Sequence, residues 1–303
     1  MSSFKHHCCK SNDSCCHHHD IREGSVLGLM ISFTVNLLLS LAEIIGGVVS
    51  GSVALIADAL HNTSDAFSIL IAVIAFKIGN KKASLKYTYG FKRAEIIGAF
   101  VNLILLFISG CYLFIEGIER LLNPVVIDGW MIILISVFAL IIDIFTAKIS
   151  HHDSHHNTNM KMLFIHNLAD AFGSFGVILS GICVLLFNIY RVDGAIALII
   201  AVYMIFQAII SFPKIVNILM NAAPDYLDIE EIKREILLIK GVNDIHHIHL
   251  WSVNEYDVSM ECHVEADDSA LIKRINKKLH DKFGINHSNI QLEPQSCCKK
   301  CKL

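Results

Sequence analysis

Charge is scarce in this chain. Asp, Glu, Lys and Arg make up 17% of its 303 residues, against about 25% in soluble proteins. The deficit is local: it falls between about residues 26 and 212, whereas both ends read as soluble sequence. Neither sign of charge dominates. A net charge of -3, with no basic stripe interleaved with aromatics, excludes a nucleic-acid surface. An apolar leader is missing too. The first twenty residues are polar and rich in His and Cys, so the start of the chain is expected in the cytoplasm. No His-Glu-x-x-His run occurs, which removes the usual signature of a zinc hydrolase.

What remains is greasy: 54% of the residues are hydrophobic. A bilayer core of ~30 Å takes ~20 helical residues. Six windows qualify, at about 26–49, 53–78, 95–117, 129–149, 163–187 and 193–212. Little more than Ser50-Gly51-Ser52 joins the first two, which makes them antiparallel neighbours. Lys77, Lys81, Lys82, Lys86, Lys92 and Arg93 crowd the link between the second and third windows, and Lys148 and Lys161 mark the link between the fourth and fifth. The opposite links carry little beyond Arg120 and Arg191. By the positive-inside rule, both termini are cytoplasmic.

Two of these windows carry a histidine and an aspartate four residues apart: His61 with Asp65, and His166 with Asp170. On a helix that step puts both side chains on one face, about one turn apart. Ionisable groups at membrane depth are costly unless they pair or line a polar path. Two such faces, turned toward each other, offer a tetrahedral N/O site for a divalent metal, most naturally zinc. Two carboxylates and two neutral imidazoles balance one divalent cation; without metal, the imidazoles can hold protons instead. Asp58 is a fifth ligand, a partner to the ligands, or a residue facing another helix. Asn36, Glu43, Asn62, Asn102 and Asp143 read individually as interhelical hydrogen-bonding or water-path residues.

Other imidazoles and thiols cluster outside the spans. His151, His152, His155 and His156 form a short polar link, read either as a solvated loop or as a weak capture site for metal. His6, His7, Cys8, Cys9, Cys15 and Cys16 crowd one tail, and Cys297, Cys298 and Cys301 the other. In a reducing compartment, adjacent cysteines mixed with His point to metal binding rather than disulfides. Cys111, Cys183 and Cys262 read as packing residues.

From about Asp228 the pattern changes to helix–strand–strand–helix–strand. The helices are amphipathic over 228–239 and 269–283, and the strands run over 245–253 and 256–264, where the alternation is imperfect, and over 287–292. This order predicts a small α+β domain with helices on one face of a sheet. It contains His246, His247, His249, His263, His280 and His287, of which a subset is expected to bind metal. The division is therefore a tail over 1–24, a membrane domain over 25–215 and a soluble metal-binding domain over 216–303.

Taken in order, these residues resemble the cation diffusion facilitator family, in its zinc-transporter branch. The run from Ser52 to Asp65 resembles the second-span signature, and Tyr89-Gly90-Phe91-Lys92-Arg93-Ala94-Glu95 the start of the third span. Glu116 to Arg120 with Pro124 resembles the end of that span, and His166 to Ala171 the fifth-span half-site. Ile248 to Ser252 and Ile290 to Pro294 resemble the cytoplasmic domain. The resemblance implies a homodimer of six-span protomers with ferredoxin-like cytoplasmic domains. It implies export of zinc from the cytosol, to the outside or into vesicles, in exchange for protons, and no enzymatic activity. His at position 61 is similar to zinc-preferring members. By the same resemblance His246, His263 and Glu293 match zinc ligands of the cytoplasmic domain, completed in some members by terminal cysteines. Asp143 stands where relatives commonly carry Asn. Two other readings compete: an intramembrane metalloenzyme, which lacks a Glu base and an open metal position, and a membrane-tethered metal sensor, which leaves the half-sites unexplained.

Overall fold

Long apolar windows fold as long helices, and the glycines inside them do not interrupt them. The computed structural model describes residues 23–79, 81, 83–153, 158–254 and 257–294, without the side chains of some residues inside its helices. Six helices come first: α1 (Glu23–Ser50), α2 (Val53–Gly79), α3 (Ala94–Leu122), α4 (Gly129–Asp153), α5 (Thr158–Phe187) and α6 (Arg191–Leu219). Five of them, all but α2, are apolar and long enough to cross a membrane. α2 has comparable length, 27 residues, but carries Asp58, His61, Asn62 and Asp65 along its middle. The helices run beyond the windows read from hydropathy. α4 continues through His151, His152 and Asp153, so the expected polar loop is partly helix. No Gly or Pro between Ala147 and His156 stops it. α6 continues through Pro213 to Leu219.

α1 packs on α2, α3 on α6, and α4 on α5. The α1–α2 turn is as tight as the sequence predicts. It needs a left-handed residue, and Gly51 supplies it at φ 77°. α3 and α6 approach closely at Gly117 and Gly194, where an added Cβ would meet the facing backbone at about 3 Å. The core between helices is built from Leu55, Leu113, Ile132, Val177 and Met204.

Asp193 fixes the start of α2. Its carboxylate accepts from the Ser52 hydroxyl and from the backbone N–H of Val53 at 2.8 Å and of Ala54 at 3.4 Å. Leu55 N–H donates to Ser52 Oγ at 3.1 Å. A carboxylate at a helix N-terminus satisfies orphan donors and complements the dipole. This clamp from α6 sets where α2 begins, and hence the height of His61.

The C-terminal domain contains α7 (Ile229–Leu237), β1 (Asp244–Ser252), β2 (Val258–Glu265), α8 (Leu271–Phe283) and β3 (His287–Glu293). The described strands form one sheet in the order β1-β2-β3, antiparallel between β1 and β2 and parallel between β2 and β3. Asp228 caps α7 by accepting from Glu230 N–H at 2.9 Å, and Gly284 ends α8 at φ 67°. Ile232, Ile236, Leu271, Ile275 and Leu279 cover one sheet face, against Ile245, Met260, Cys262 and Val264. The α2–α3 link rests on this domain: Lys92 Nζ lies 2.8 Å from Asp257 Oδ2, and the Tyr89 and His287 rings meet edge-on at 5.9 Å.

Candidate metal centres

The first centre lies between α2 and α5. The four-residue step on α2 brings Asp65 Oδ2 to 3.5 Å from His61 Nε2. From α5, Asp170 Oδ1 approaches the same nitrogen at 3.2 Å. Ligand atoms of His61, Asp65 and Asp170 all lie within 4.8 Å of one another, close enough to share one ion. His61 is buried, at 5% exposure, and its ring meets Tyr203 of α6 edge-on at 5.6 Å. Two carboxylates around one buried imidazole make this point of the bundle attractive to a cation. His166 lies on α5 one turn before Asp170, and its side chain falls outside the described ones. Tyr203 was not singled out by sequence; a tyrosine in an apolar helix carries no signal of its own.

Asp58 does not join these three. It is buried and turns to α5, where Ser174 Oγ lies 3.0 Å from its Oδ2; the same hydroxyl lies 2.8 Å from Asp143 Oδ2 on α4. On the α1 side, Asn62 donates to Glu43 Oε2 at 3.1 Å. Asn102 of α3 donates to Ser68 of α2 at 2.6 Å. Glu43, Asn62, Asn102 and Asp143 thus make contacts between helices, the first of the two roles their sequence positions offered.

The second centre is in the sheet. Pairing places His246 opposite His263 on β1 and β2, and Glu265 opposite Glu293 on β2 and β3. Glu293 Oε1 lies 2.8 Å from His263 Nδ1, and its Oε2 lies 3.3 Å from His246 Nε2. All three residues fit within one 4.8 Å cluster. Asp244 stands 3.6 Å from the other nitrogen of His246, placed to orient that ring. Asp244, His246 and Glu265 form a further compact group. The imperfect alternation of β1 has a cause: the register shifts between His246 and His249, and His247 sits there at φ 52°. The bulge turns the His247 ring toward His263, with centroids 4.8 Å apart, and brings its Nε2 to 3.3 Å from that of His249. Sequence spacing does not disclose a bulge. His280 and His287 lie away from this cluster, His280 beside Asp281 at 3.2 Å.

Cys262, on the helix-covered face of the sheet, is fully buried in the apolar core, as a packing residue would be, and burial pushes its thiol up to about 12. His6, Cys8, Cys9, His155, His156, Cys297, Cys298 and Cys301 lie outside the described residues, as do the side chains of His151 and His152.

The profile of the cation efflux transmembrane domain matches residues 29–220, and that of the cation efflux protein cytoplasmic domain matches residues 224–295. The chain is similar to the zinc transporter ZitB of Pectobacterium atrosepticum, at 31% identity over 93% of this chain and 90% of that protein. It is similar to ZitB of Escherichia coli, at 33% identity over 89% of this chain and 88% of that one. A cadmium, cobalt and zinc/H(+)-K(+) antiporter of Bacillus subtilis is 32% identical over 88% of this chain and 89% of its own length.

Proposed function

This chain belongs to the cation efflux family, and we propose that it is a proton-coupled zinc transporter that exports zinc from the cytosol by alternating access. The observation that carries this reading is the meeting of His61, Asp65 and Asp170 inside an apolar helix bundle. His166, one turn from Asp170, completes a tetrahedron of two imidazoles and two carboxylates. The names of the relatives, zinc transporters and an antiporter, support zinc as substrate and protons as counter-ion.

α2 joins the other long helices as a sixth span, its polar face turned inward. The positive links then place both termini, and the cytoplasmic domain, on the cytosolic side. The membrane domain takes residues 25–215, and the segments 1–24 and 216–303 are cytosolic. The helix–strand–strand–helix–strand order is a ferredoxin-like arrangement, and two such domains pair to make a homodimer. The membrane served is the plasma membrane or that of a vesicle.

The chemistry follows from the ligands. An imidazole must lose its proton before it binds zinc. Neutral cytosol therefore favours loading, and an acidic far side favours release and protonation of the same ligands. Rocking of the bundle around a fixed centre then carries zinc one way and protons the other. His246, His263 and Glu293 hold a second zinc as a regulatory ligand, with Cys297 and Cys298, or Cys8, Cys9 and His6, reaching in from the tails. His151, His152, His155 and His156 act as a capture site near the cytosolic mouth.

The test is zinc uptake into sealed inside-out vesicles with an acidic interior. The expected result is accumulation that stops when an ionophore collapses the pH gradient. Uptake that ignores the collapse means that zinc moves without protons.

A further inference from the structure

Beside the membrane centre, three helices meet at one hydroxyl. Ser174 of α5 is fully buried, and its Oγ lies 3.0 Å from Asp58 of α2 and 2.8 Å from Asp143 of α4. Both aspartates are buried, at 2% and 7% exposure. A serine hydroxyl has one proton to give and two lone pairs to accept with. It can give a full-strength hydrogen bond to one of these carboxyls only. The other contact is equally strong only if that carboxyl donates back to Ser174 Oγ, and so carries a proton itself. Two ionised carboxylates bridged this way would hold an oxygen–oxygen contact with no hydrogen between, and two like charges in a dry pocket.

A second observation marks the same pocket. Glu43 of α1 is fully buried and within electrostatic reach of both Asp58 and Asp143. Its Oε2 takes the Asn62 amide, while its Oε1 meets no donor among the described residues. Buried carboxyl oxygens are normally satisfied. A pocket that leaves one open beside two more carboxyls is short of protein donors and is built to receive positive charge. The groups facing it are Glu43 from α1, Asp143 from α4, Asp170 from α5, and His61 and Asp65 on the next turn of α2 itself. Tyr203 of α6 lies behind His61, and α3 meets α2 through Asn102, which does not titrate.

We propose that Asp58, Ser174 and Asp143 form a proton-binding site, separate from the metal ligands, that holds one proton between α2, α4 and α5 and releases it to water when zinc occupies the neighbouring centre. Zinc at His61, Asp65 and Asp170 sets two positive charges one turn along α2 from Asp58. That field favours the ionised form of the bridged pair. Metal entry and proton departure are thereby coupled through a group that never touches the metal. The inference rests on the reading of His61, Asp65 and Asp170 as the transport centre.

The experiment counts protons. Full-length protein stripped of metal is titrated with zinc by calorimetry, in buffers of different ionisation enthalpy. Asp143→Asn keeps the shape and removes the acid, so protons released per zinc should fall by about one while zinc still binds. Infrared difference spectra of the unaltered protein should show a protonated-carboxyl band lost on zinc addition, and Asp143→Asn should lack it. Asp58→Asn gives the same two readings should Asp143→Asn not fold. An unchanged proton count in a folded variant, or no zinc-sensitive carboxyl band in the unaltered protein, overturns the site. Asp65→Ala keeps the two failures apart: if it still binds and moves zinc normally, the transport centre itself is misplaced. If it abolishes both while Asp143→Asn changes no proton count, only the proton site is lost.

Discussion

The two centres use nearly the same donors and are assembled in opposite ways. In the helix bundle, His61 and Asp65 are brought together by one turn of α2, and Asp170 comes from α5. In the cytoplasmic domain, His246, His263 and Glu293 come from three strands, and nothing but sheet register makes them neighbours. The first is walled by apolar helices and sits beside three more buried carboxyls. The second lies on the sheet, its His246, His263 and Glu293 side chains no more exposed than Asp65, with further imidazoles at His247 and His249. A centre enclosed by helices suits an ion that must be held, shielded and released on one path. A sheet face with surplus imidazoles suits an ion that samples the cytosol.

Variants can break this contrast or sharpen it. The largest effect belongs to the membrane carboxylates. Asp65→Ala or Asp170→Ala removes a charged ligand from a site that has few, and zinc flux in proteoliposomes should fall more than ~100-fold. The protein should remain folded and dimeric by size-exclusion chromatography. Normal flux in either variant would take that carboxylate off the transport path.

His61→Asp comes next. It replaces a borderline imidazole by a hard carboxylate and adds a negative charge. Discrimination against cadmium or manganese in competition assays should weaken several-fold. An unchanged preference would mean that selectivity lies outside this ligand.

His263→Ala in the sheet should do the reverse of Asp65→Ala. Bound zinc by elemental analysis should drop by about one per protomer, with flux shifted only a few-fold. Flux lost outright would place the cytoplasmic centre on the transport path.

The smallest effect is expected at the α7–α8 surface. Lys278 and Lys282 beside Glu235, at 2.7 and 2.9 Å, hold its carboxyl down at about 2, well below the usual carboxylate range. A depressed value means that the stabilisation is fully present above the ordinary carboxylate value and is lost as pH falls toward 2. Glu235→Gln should lower the thermal midpoint slightly at neutral pH and leave zinc content and flux unchanged. A change in either would link this exposed surface to a centre.

What the sequence discloses follows the same divide. Helical registers are local, so His61 with Asp65 and the six long helices were legible from spacing and hydropathy. The polar residues scattered through α1 to α4 were legible as interhelical partners or water-path residues, but not which role or partner each takes. Asp58, Ser174 and Asp143 lie on three helices, and no spacing joins them. The Asp193 clamp on Ser52, Val53 and Ala54 bridges 140 residues between Val53 and Asp193 and has no local signal either. In the sheet, the alternation of β1 was read as imperfect, yet the bulge at His247 that causes it needs the backbone geometry. The helical reach of α4 through His151 and His152 was missed because a run of histidines looks like loop, while nothing in it breaks a helix.

The most direct test of the division between the centres is to see where zinc sits. An anomalous-scattering map of the full-length protein with zinc should show one peak about 2.0–2.2 Å from His61, Asp65 and Asp170 ligand atoms, as zinc–nitrogen and zinc–oxygen bonds require. A second peak, at His246, His263 and Glu293, should vanish in His263→Ala while the first remains. A membrane centre with no peak, in protein that transports zinc, would contradict the account.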